Sequence, residues 1–246
     1  MKSARPAGTA PGSGYVREMF ARVAPRYDLL NHLLSLNWDR RWRDAVARHF
    51  RPLLARPEAR VLDLCCGTGD LALALSAVGP AVIIGADFCH PMLERARQKF
   101  ARHRRARGHP PLPAEADALH LPFPDASFDL ITVAFGFRNL ADYDAGLREM
   151  LRLLRPGGQV GLLEFSEPQS LLFGPLYRFY FRHVLPQLGG AISGDRAAYT
   201  YLPASVKQFP SPEELAEWMG EVGFHDVQFR RFTGGVACLH TGRRKG

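Results

Sequence analysis

The 246-residue chain lacks several things, and each lack narrows what it can be. No apolar run approaches the roughly 18 residues that a membrane-crossing helix needs, so no spanning segment is expected. Residues 1–14 are rich in Ala, Pro, Gly and Ser and contain no apolar core of a secretory signal, so they read as a disordered tail. Cysteine is scarce: Cys65, Cys66, Cys89 and Cys238 are all there are, the first two adjacent, and no C-x-x-C pair exists. That argues against a disulfide framework and a zinc site, and for a reducing cytoplasm. Internal repeats and a second core are also missing, which leaves one domain over residues 15–246.

Acidic residues are in deficit, 24 against 32 Lys and Arg, for a net charge of +8. The cluster Arg102, Arg104, Arg105 and Arg107 falls at the expected end of a helix. A solvated face favoured by the helix dipole, nucleic acid and an anionic membrane surface all remain open there, because charge alone does not choose among them.

What is present is an alternation of periods. Tyr15 to Phe50 reads as helical, with Trp38, Trp42 and Val46 on one face. Arg60 to Cys65 is a β-rich run that turns at Gly67-Thr68-Gly69 into a helix, Asp70 to Val78. Further strands are expected over Val82 to Asp87, Ala114 to Asp117, Phe128 to Phe135 and Gln159 to Phe165. Between them come a helix starting near Pro91 and one capped by Asp142, which ends at Pro156-Gly157-Gly158. Ser211-Pro212-Glu213-Glu214 is a capping box opening a helix to about Val222. Strands over His225 to Phe232 and Val236 to Thr241 then form a hairpin through Gly234-Gly235. This order implies an α/β, doubly wound, mostly parallel sheet with N-terminal helices and a C-terminal antiparallel strand.

The turn in Val61-Leu62-Asp63-Leu64-Cys65-Cys66-Gly67-Thr68-Gly69-Asp70 lets a ligand lie against backbone. A pyrophosphate favours helix N–H groups without a carboxylate beside them. Asp63 before the turn and Asp70 after it suit a cationic ligand better. S-adenosylmethionine, with an ammonium, a sulfonium and no phosphate, fits that description. Asp87 ends the second strand about twenty residues on, where an acid accepts ribose hydroxyls of either adenosylmethionine or NAD. Asp117-Ala118 follows the third strand, where a carboxylate reads an adenine amino group or simply closes a turn.

These residues, with Leu154-Arg155-Pro156-Gly157-Gly158 ahead of a strand, resemble class I methyltransferases. Phe20 to Asn31, Phe135-Gly136-Phe137-Arg138-Asn139-Leu140, Leu163-Glu164-Phe165-Ser166, Tyr177 to Arg182, Tyr201 to Val206 and Phe209-Pro210 narrow the resemblance to the UbiE/MenG family, over nearly all of Tyr15 to Arg244. The resemblance implies a Rossmann-like seven-stranded fold and C-methylation of a menaquinone or ubiquinone precursor. It further implies that Thr68, Asp87, Asp117 and Ala118 bind the methyl donor, beside Asp63, Gly67 and Gly69 of the turn. Where many relatives carry Ser before Phe135, this chain has Ala134. Leu147 to Met150 and Tyr177 to Phe181 look more like the menaquinone branch.

Ring carbon is a poor nucleophile until a neighbouring hydroxyl loses its proton. Arg138 is the expected catalytic group, holding the oxyanion directly or through water, and Asn139 the group that orients it. Tyr27, Asp28, Asn31 and His32 are candidates to close over the donor. His32 and His183 are possible bases, though packed or surface positions are the plainer reading. The aromatic, Arg-interleaved stretch over residues 171–188 reads as a core helix or as a lid touching the membrane face. The expected partners are therefore a prenylated quinol and, peripherally, the cytoplasmic face of a membrane; a homodimer is admitted, and neither metal nor nucleic acid is expected. An RNA methyltransferase, a non-catalytic lipid or quinone carrier and an NAD oxidoreductase are the alternatives. The place after the fourth strand lacks an Asn/Asp-Pro-Pro-Tyr/Phe motif, and the intact acidic turn argues against the other two.

Overall fold

The computed structural model describes residues 13–102, 109–168 and 196–246, with 174, 179, 180 and 187 as isolated positions. The expected tail lies outside the described residues except at 13 and 14, and so does most of the expected lid over 171–188. No described helix is long and apolar enough to cross a membrane.

Strands β1 (Arg60–Leu64), β2 (Val82–Asp87), β3 (Leu112–Glu115), β4 (Phe128–Ala134), β5 (Leu154–Phe165), β6 (Phe224–Phe232) and β7 (Ala237–Arg244) form one sheet in the order β3-β2-β1-β4-β5-β7-β6. The first five pair in parallel, and β7 runs antiparallel to both β5 and β6. The order reverses between β1 and β4, which leaves a crevice beyond their carboxyl ends where ligands of such sheets bind.

Alternating side chains of each strand feed two cores, as the strand period of two requires. Val61, Ile83, Leu130 and Leu163 face α3 (Trp38–His49), α5 (Asp70–Val78) and α6 (His90–Arg102), meeting Trp42, Leu75 and Phe100. Leu62, Ile131, Val133 and Leu162 face α7 (Tyr143–Leu153) and α9 (Pro212–Val222), meeting Leu147, Met150, Leu215 and Met219. The expected caps are present: Asp142 accepts the Ala145 amide at 2.9 Å, and Ser211 and Glu214 form a reciprocal capping box.

Several boundaries differ from the sequence expectation, and β7 runs three residues past Thr241 to Arg244. The N-terminal run is divided into α1 (Ser13–Val23), α2 (Tyr27–Leu34), α3 and the single turn α4 (Arg51–Leu54). Pro25 sits in a 3-10 turn at the first break, and Leu36 and Asn37 take positive φ at the second. Strand β3 lies two residues earlier than expected because β2 sets its register, Asp87 opposite Glu115; Asp117 is left in the turn beyond. Strand β5 begins at Leu154, and its pairing with β4 shifts register between Phe128 and Leu130 to absorb Pro156-Gly157-Gly158. The expected stripe Trp38-Trp42-Val46 is buried only at its last two members, and Trp38 is exposed.

Gly161 lets the α3–α4 junction rest on the sheet, since a Cβ there would meet two carbons of the Phe50 ring at 2.6 and 2.8 Å. Gly161→Ala is expected to destabilise the chain by about 1–3 kcal/mol through overpacking, measured as a lower urea midpoint with unchanged slope.

Candidate active site

The turn after β1 is shaped by left-handed backbone and tied down by one side chain, Asp87. Cys65, Gly67 and Gly69 all take positive φ. The Cys66 amide donates to Ala86 O and the Gly67 amide to Asp87 Oδ2, both at or under 2.9 Å, so the turn is tied to β2. A Cβ on Gly67 would meet only Tyr27, at 4.0 Å, and the turn is open on that side. Gly69 is different. It begins α5 at φ 86, and a Cβ there would run into the Phe100 ring of α6. Its glycine is required for packing, and it stands outside the cleft lining.

A cleft opens beyond the carboxyl ends of β1 and β4, lined by both strand ends and by the N-terminal helices. Of the expected binding residues, Asp63, Gly67, Thr68, Asp87, Asp117 and Ala118 line it. Asp63 and Asp87 are buried at the ends of β1 and β2. Thr132 Oγ1 donates to Asp63 Oδ1 at 3.0 Å, across the β1–β4 pairing, while Oδ2 makes no hydrogen bond among the described residues. Burial pushes the Asp63 carboxyl up to about 7 and the Asp87 carboxyl up to about 6. Asp87 accepts the Gly67 and Cys89 amides at 2.8 and 2.9 Å, one per oxygen, and each oxygen keeps a lone pair. An acidic cradle with an unsatisfied carboxylate oxygen fits an ammonium with ribose hydroxyls nearby, and does not fit a pyrophosphate. Asp117 is exposed and accepts the Leu119 amide at 2.9 Å, so it closes the turn as well as lining the cleft. Cys65 and Cys66 line it too, and burial drives both thiols well up, so they stay protonated.

The N-terminal helices reach the site. Phe20, Tyr27 and Arg43 line the cleft. Thr68 Oγ1 donates to Asp28 Oδ1 at 2.5 Å, and Lys99 of α6 bonds Thr68, Asp70 and Asp28 at 3.0, 2.5 and 2.7 Å. His32 lies 2.7 Å from Asp39, which also pairs with Arg43. Asp70, expected to face a cationic ligand, is thus held by Lys99. Ligand atoms of His32, Asp39 and Asp70 lie within 4.8 Å of one another, but Arg43 and Lys99 already supply the positive charge there.

Strand β4 is followed by Phe135 in positive φ, and Phe137–Asn139 form a 3-10 turn. Asn139 lines the cleft, and the Tyr201 hydroxyl of α8 (Arg196–Gln208) donates to its Oδ1 at 3.0 Å. Arg138 is buried behind that wall. It donates to the Phe135 carbonyl, to Glu164 at 3.0 Å and to Ser205 Oγ at 3.4 Å. Burial alone would depress the guanidinium, but Glu164 first, then the two tyrosines Tyr27 and Tyr201, raise it, and it remains cationic. Glu164, Lys99 and Arg43 carry no role in the sequence reading. The signal for Glu164 is a carboxylate inside an apolar strand, which must have a buried partner.

A doubly wound sheet with an acidic cradle at its switch point defines a class I S-adenosylmethionine-dependent methyltransferase. Comparison with known proteins places the chain further: residues 9–244 match the model of the ubiE/COQ5 methyltransferase family, and the chain belongs to that family. It is 52% identical over 232 residues to a demethylmenaquinone methyltransferase of Deinococcus radiodurans, covering 94% of this chain and 92% of that one. It is also 52% identical to one of Thermus thermophilus, covering 92% and 100%. A ubiquinone/menaquinone biosynthesis C-methyltransferase of Geobacter sulfurreducens is 46% identical, covering 93% and 88%. Among solved structures, an S-adenosylmethionine-dependent methyltransferase of Thermotoga maritima superposes with TM-score 0.62 at 20% identity, covering 93% and 99%. The cyclase SpnF does so with TM-score 0.70 at 18% identity, covering 99% of each, which shows the fold alone.

The raised carboxyls set a pH signature. Between the usual value of 3.8 and about 6 to 7, the folded chain keeps protons that the unfolded chain has released, so stability falls as pH rises through that window. A cationic ligand favours the ionised carboxylates, so donor affinity is expected to rise from pH 5.5 to about 7.5 with proton release. Calorimetry in buffers of different ionisation enthalpy measures both; a flat affinity with no proton release overturns the assignment of Asp63 and Asp87.

Proposed function

We propose that this protein methylates the ring of demethylmenaquinol to menaquinol with S-adenosyl-L-methionine, in menaquinone biosynthesis. The observation that carries this reading is the acidic cleft with its unsatisfied Asp63 oxygen, set against the wall that holds Arg138 and Asn139. The 52% identity to two proteins named for that reaction supports it.

Bound S-adenosyl-L-methionine supplies an electrophilic methyl group on a sulfonium. In this reading Asp63 receives an ammonium, Asp87 takes ribose hydroxyls, the backbone at Gly67 and Thr68 allows close approach, and Asp117 with Ala118 receives the adenine. Arg138 favours the quinolate over the quinol through its fixed positive charge, and Asn139 orients the quinol oxygen or an ordered water. Deprotonating that oxygen raises electron density on the neighbouring ring carbon, which takes the methyl group; the carbon then releases its own proton and the ring regains aromaticity. The protein's contribution is to hold ring and methyl in line within a cleft walled by Phe20, Met92 and Phe135. Peripheral contact with the membrane that holds the prenylated quinol belongs to the same proposal. The relative from Geobacter sulfurreducens is named for both quinone pathways, which favours a benzoquinol precursor as the second acceptor to test.

Two measurements check this. Labelled methyl transfer is expected to demethylmenaquinol, with slower transfer to the demethylated ubiquinol precursor; turnover of neither overturns the reading. Removing Arg138 alone would strand the buried Glu164 charge, so the informative variant pairs Arg138→Met with Glu164→Gln. It is expected to lose about 100-fold or more in kcat with donor affinity near wild type. Retained turnover refutes the role of Arg138.

A further inference from the structure

On helix α2 a polar stripe faces inward while Leu29 and Leu33 face solvent. Tyr27, Asp28, Asn31, His32 and the following Ser35 lie on one helical stripe, and that stripe faces inward. Tyr27 lines the cleft, Asp28 bonds Thr68, and His32 and Ser35 bond Asp39 at 2.7 and 2.6 Å. Leu29 and Leu33 on the opposite stripe, and Leu36 in the turn beyond the helix, face solvent with 61%, 49% and 75% of their surface exposed. A helix at a protein surface normally buries its leucines and exposes its polar residues. Trp38 continues this ridge at 39% exposure, with the Arg41 guanidinium 4.7 Å above its ring. Arg40 and Arg41 are exposed beside it, and among the described residues neither pairs with a carboxylate.

We infer that this ridge is a docking surface for an anionic bilayer, with Leu29, Leu33, Leu36 and Trp38 entering the headgroup boundary and Arg40 and Arg41 meeting lipid phosphates. Four exposed large apolar side chains within ten residues, followed by two exposed arginines, match an interfacial segment, and the net charge of +8 adds to the attraction. A second copy of the chain fits less well, because it carries the same net charge of +8 as the chain it would meet. The inference rests on the reading of the substrate as a membrane-borne quinol. Tyr27 lies within six residues of Leu33, about 9 Å along the helix, so docking sets the cleft's N-terminal wall against the lipid.

The test is flotation with vesicles of phosphatidylglycerol mixed with phosphatidylcholine, and of phosphatidylcholine alone. Wild type is expected to float with the anionic vesicles, less at higher salt and less with the neutral ones. Leu29→Gln, Leu33→Gln and Leu36→Asn together are expected to weaken flotation about tenfold or more, with the melting temperature and turnover of a short-chain, water-soluble demethylmenaquinol unchanged. A vesicle-induced blue shift of tryptophan emission is expected to vanish in Trp38→Phe. Equal flotation of wild type and triple variant overturns the inference. So does a triple variant that becomes monomeric from a dimer with vesicle binding intact, which would make the ridge an interface between copies. Wild type that turns over the soluble quinol without floating overturns docking and leaves the function standing; ridge-dependent flotation without turnover does the reverse.

Discussion

Two carboxylates taken out of water at the ends of adjacent strands are the constraint around which this molecule is arranged. Asp63 and Asp87 are buried where β1 and β2 finish, and each is pushed towards its neutral form by that burial. Placing charge there is unfavourable unless donors converge on it. The chain supplies some: the Gly67 and Cys89 amides reach Asp87, and Thr132 reaches Asp63. It leaves Asp63 Oδ2 unsatisfied. The turn geometry follows from the same need: positive φ at Cys65, Gly67 and Gly69 folds the chain back sharply, with the Gly67 amide on Asp87 and the space above Gly67 open. The fold therefore holds an incomplete hydrogen-bonding set that a ligand with cationic and hydroxyl donors completes.

Much of the framework was legible because strand and helix periods are local properties. The alternation over β1, β2 and β4 and the caps at Asp142 and Ser211 are set by residues within a few positions of one another, and they stand where their local chemistry puts them. Pairing is not local. Where β3 begins depends on which residue faces Asp87, and how β5 passes Pro156-Gly157-Gly158 depends on β4; both ends moved from their expected positions. The site divides the same way. Asp63, Asp87 and Asn139 were readable from their places at strand ends, and they line the cleft. The requirement for glycine at position 69 comes from Phe100 on another helix, and no spacing in the turn reveals it. Trp38 followed the helical stripe of Trp42 and Val46 but falls just after the left-handed Leu36-Asn37 turn, where the stripe leaves the core.

The Arg138–Glu164 pair shows how a cation is kept buried behind the wall of the cleft. A bare guanidinium there would be strongly disfavoured, and the buried Glu164 at 3.0 Å supplies its counter-charge. Glu164 and the Phe135 carbonyl hold one terminal nitrogen, and Ser205 accepts from Nε, so the group is fixed in place before any substrate arrives. Ser205 and Tyr201 come from the same helix, α8, so Arg138 and Asn139 are both braced by an element that enters the sequence long after β4. The positions of the two catalytic candidates therefore depend on the chain closing back on itself.

The inversion of α2 has the same origin as the acidic cleft. A helix that roofs a site for a charged, hydroxyl-rich ligand must turn polar groups inward, and Asp28, Asn31 and His32 occupy that face. A helix has only two sides. Once the inward one is given to Thr68, Asp39 and the cleft, Leu29 and Leu33 are left on the solvent side, and the core beneath is filled from α3, α5 and α6. In water alone such a helix would be disfavoured, and polar residues at positions 29, 33 and 36 would serve the site equally well. That this chain keeps leucine at all three is what a lipid surface on the far side of the roof explains and the cleft by itself does not.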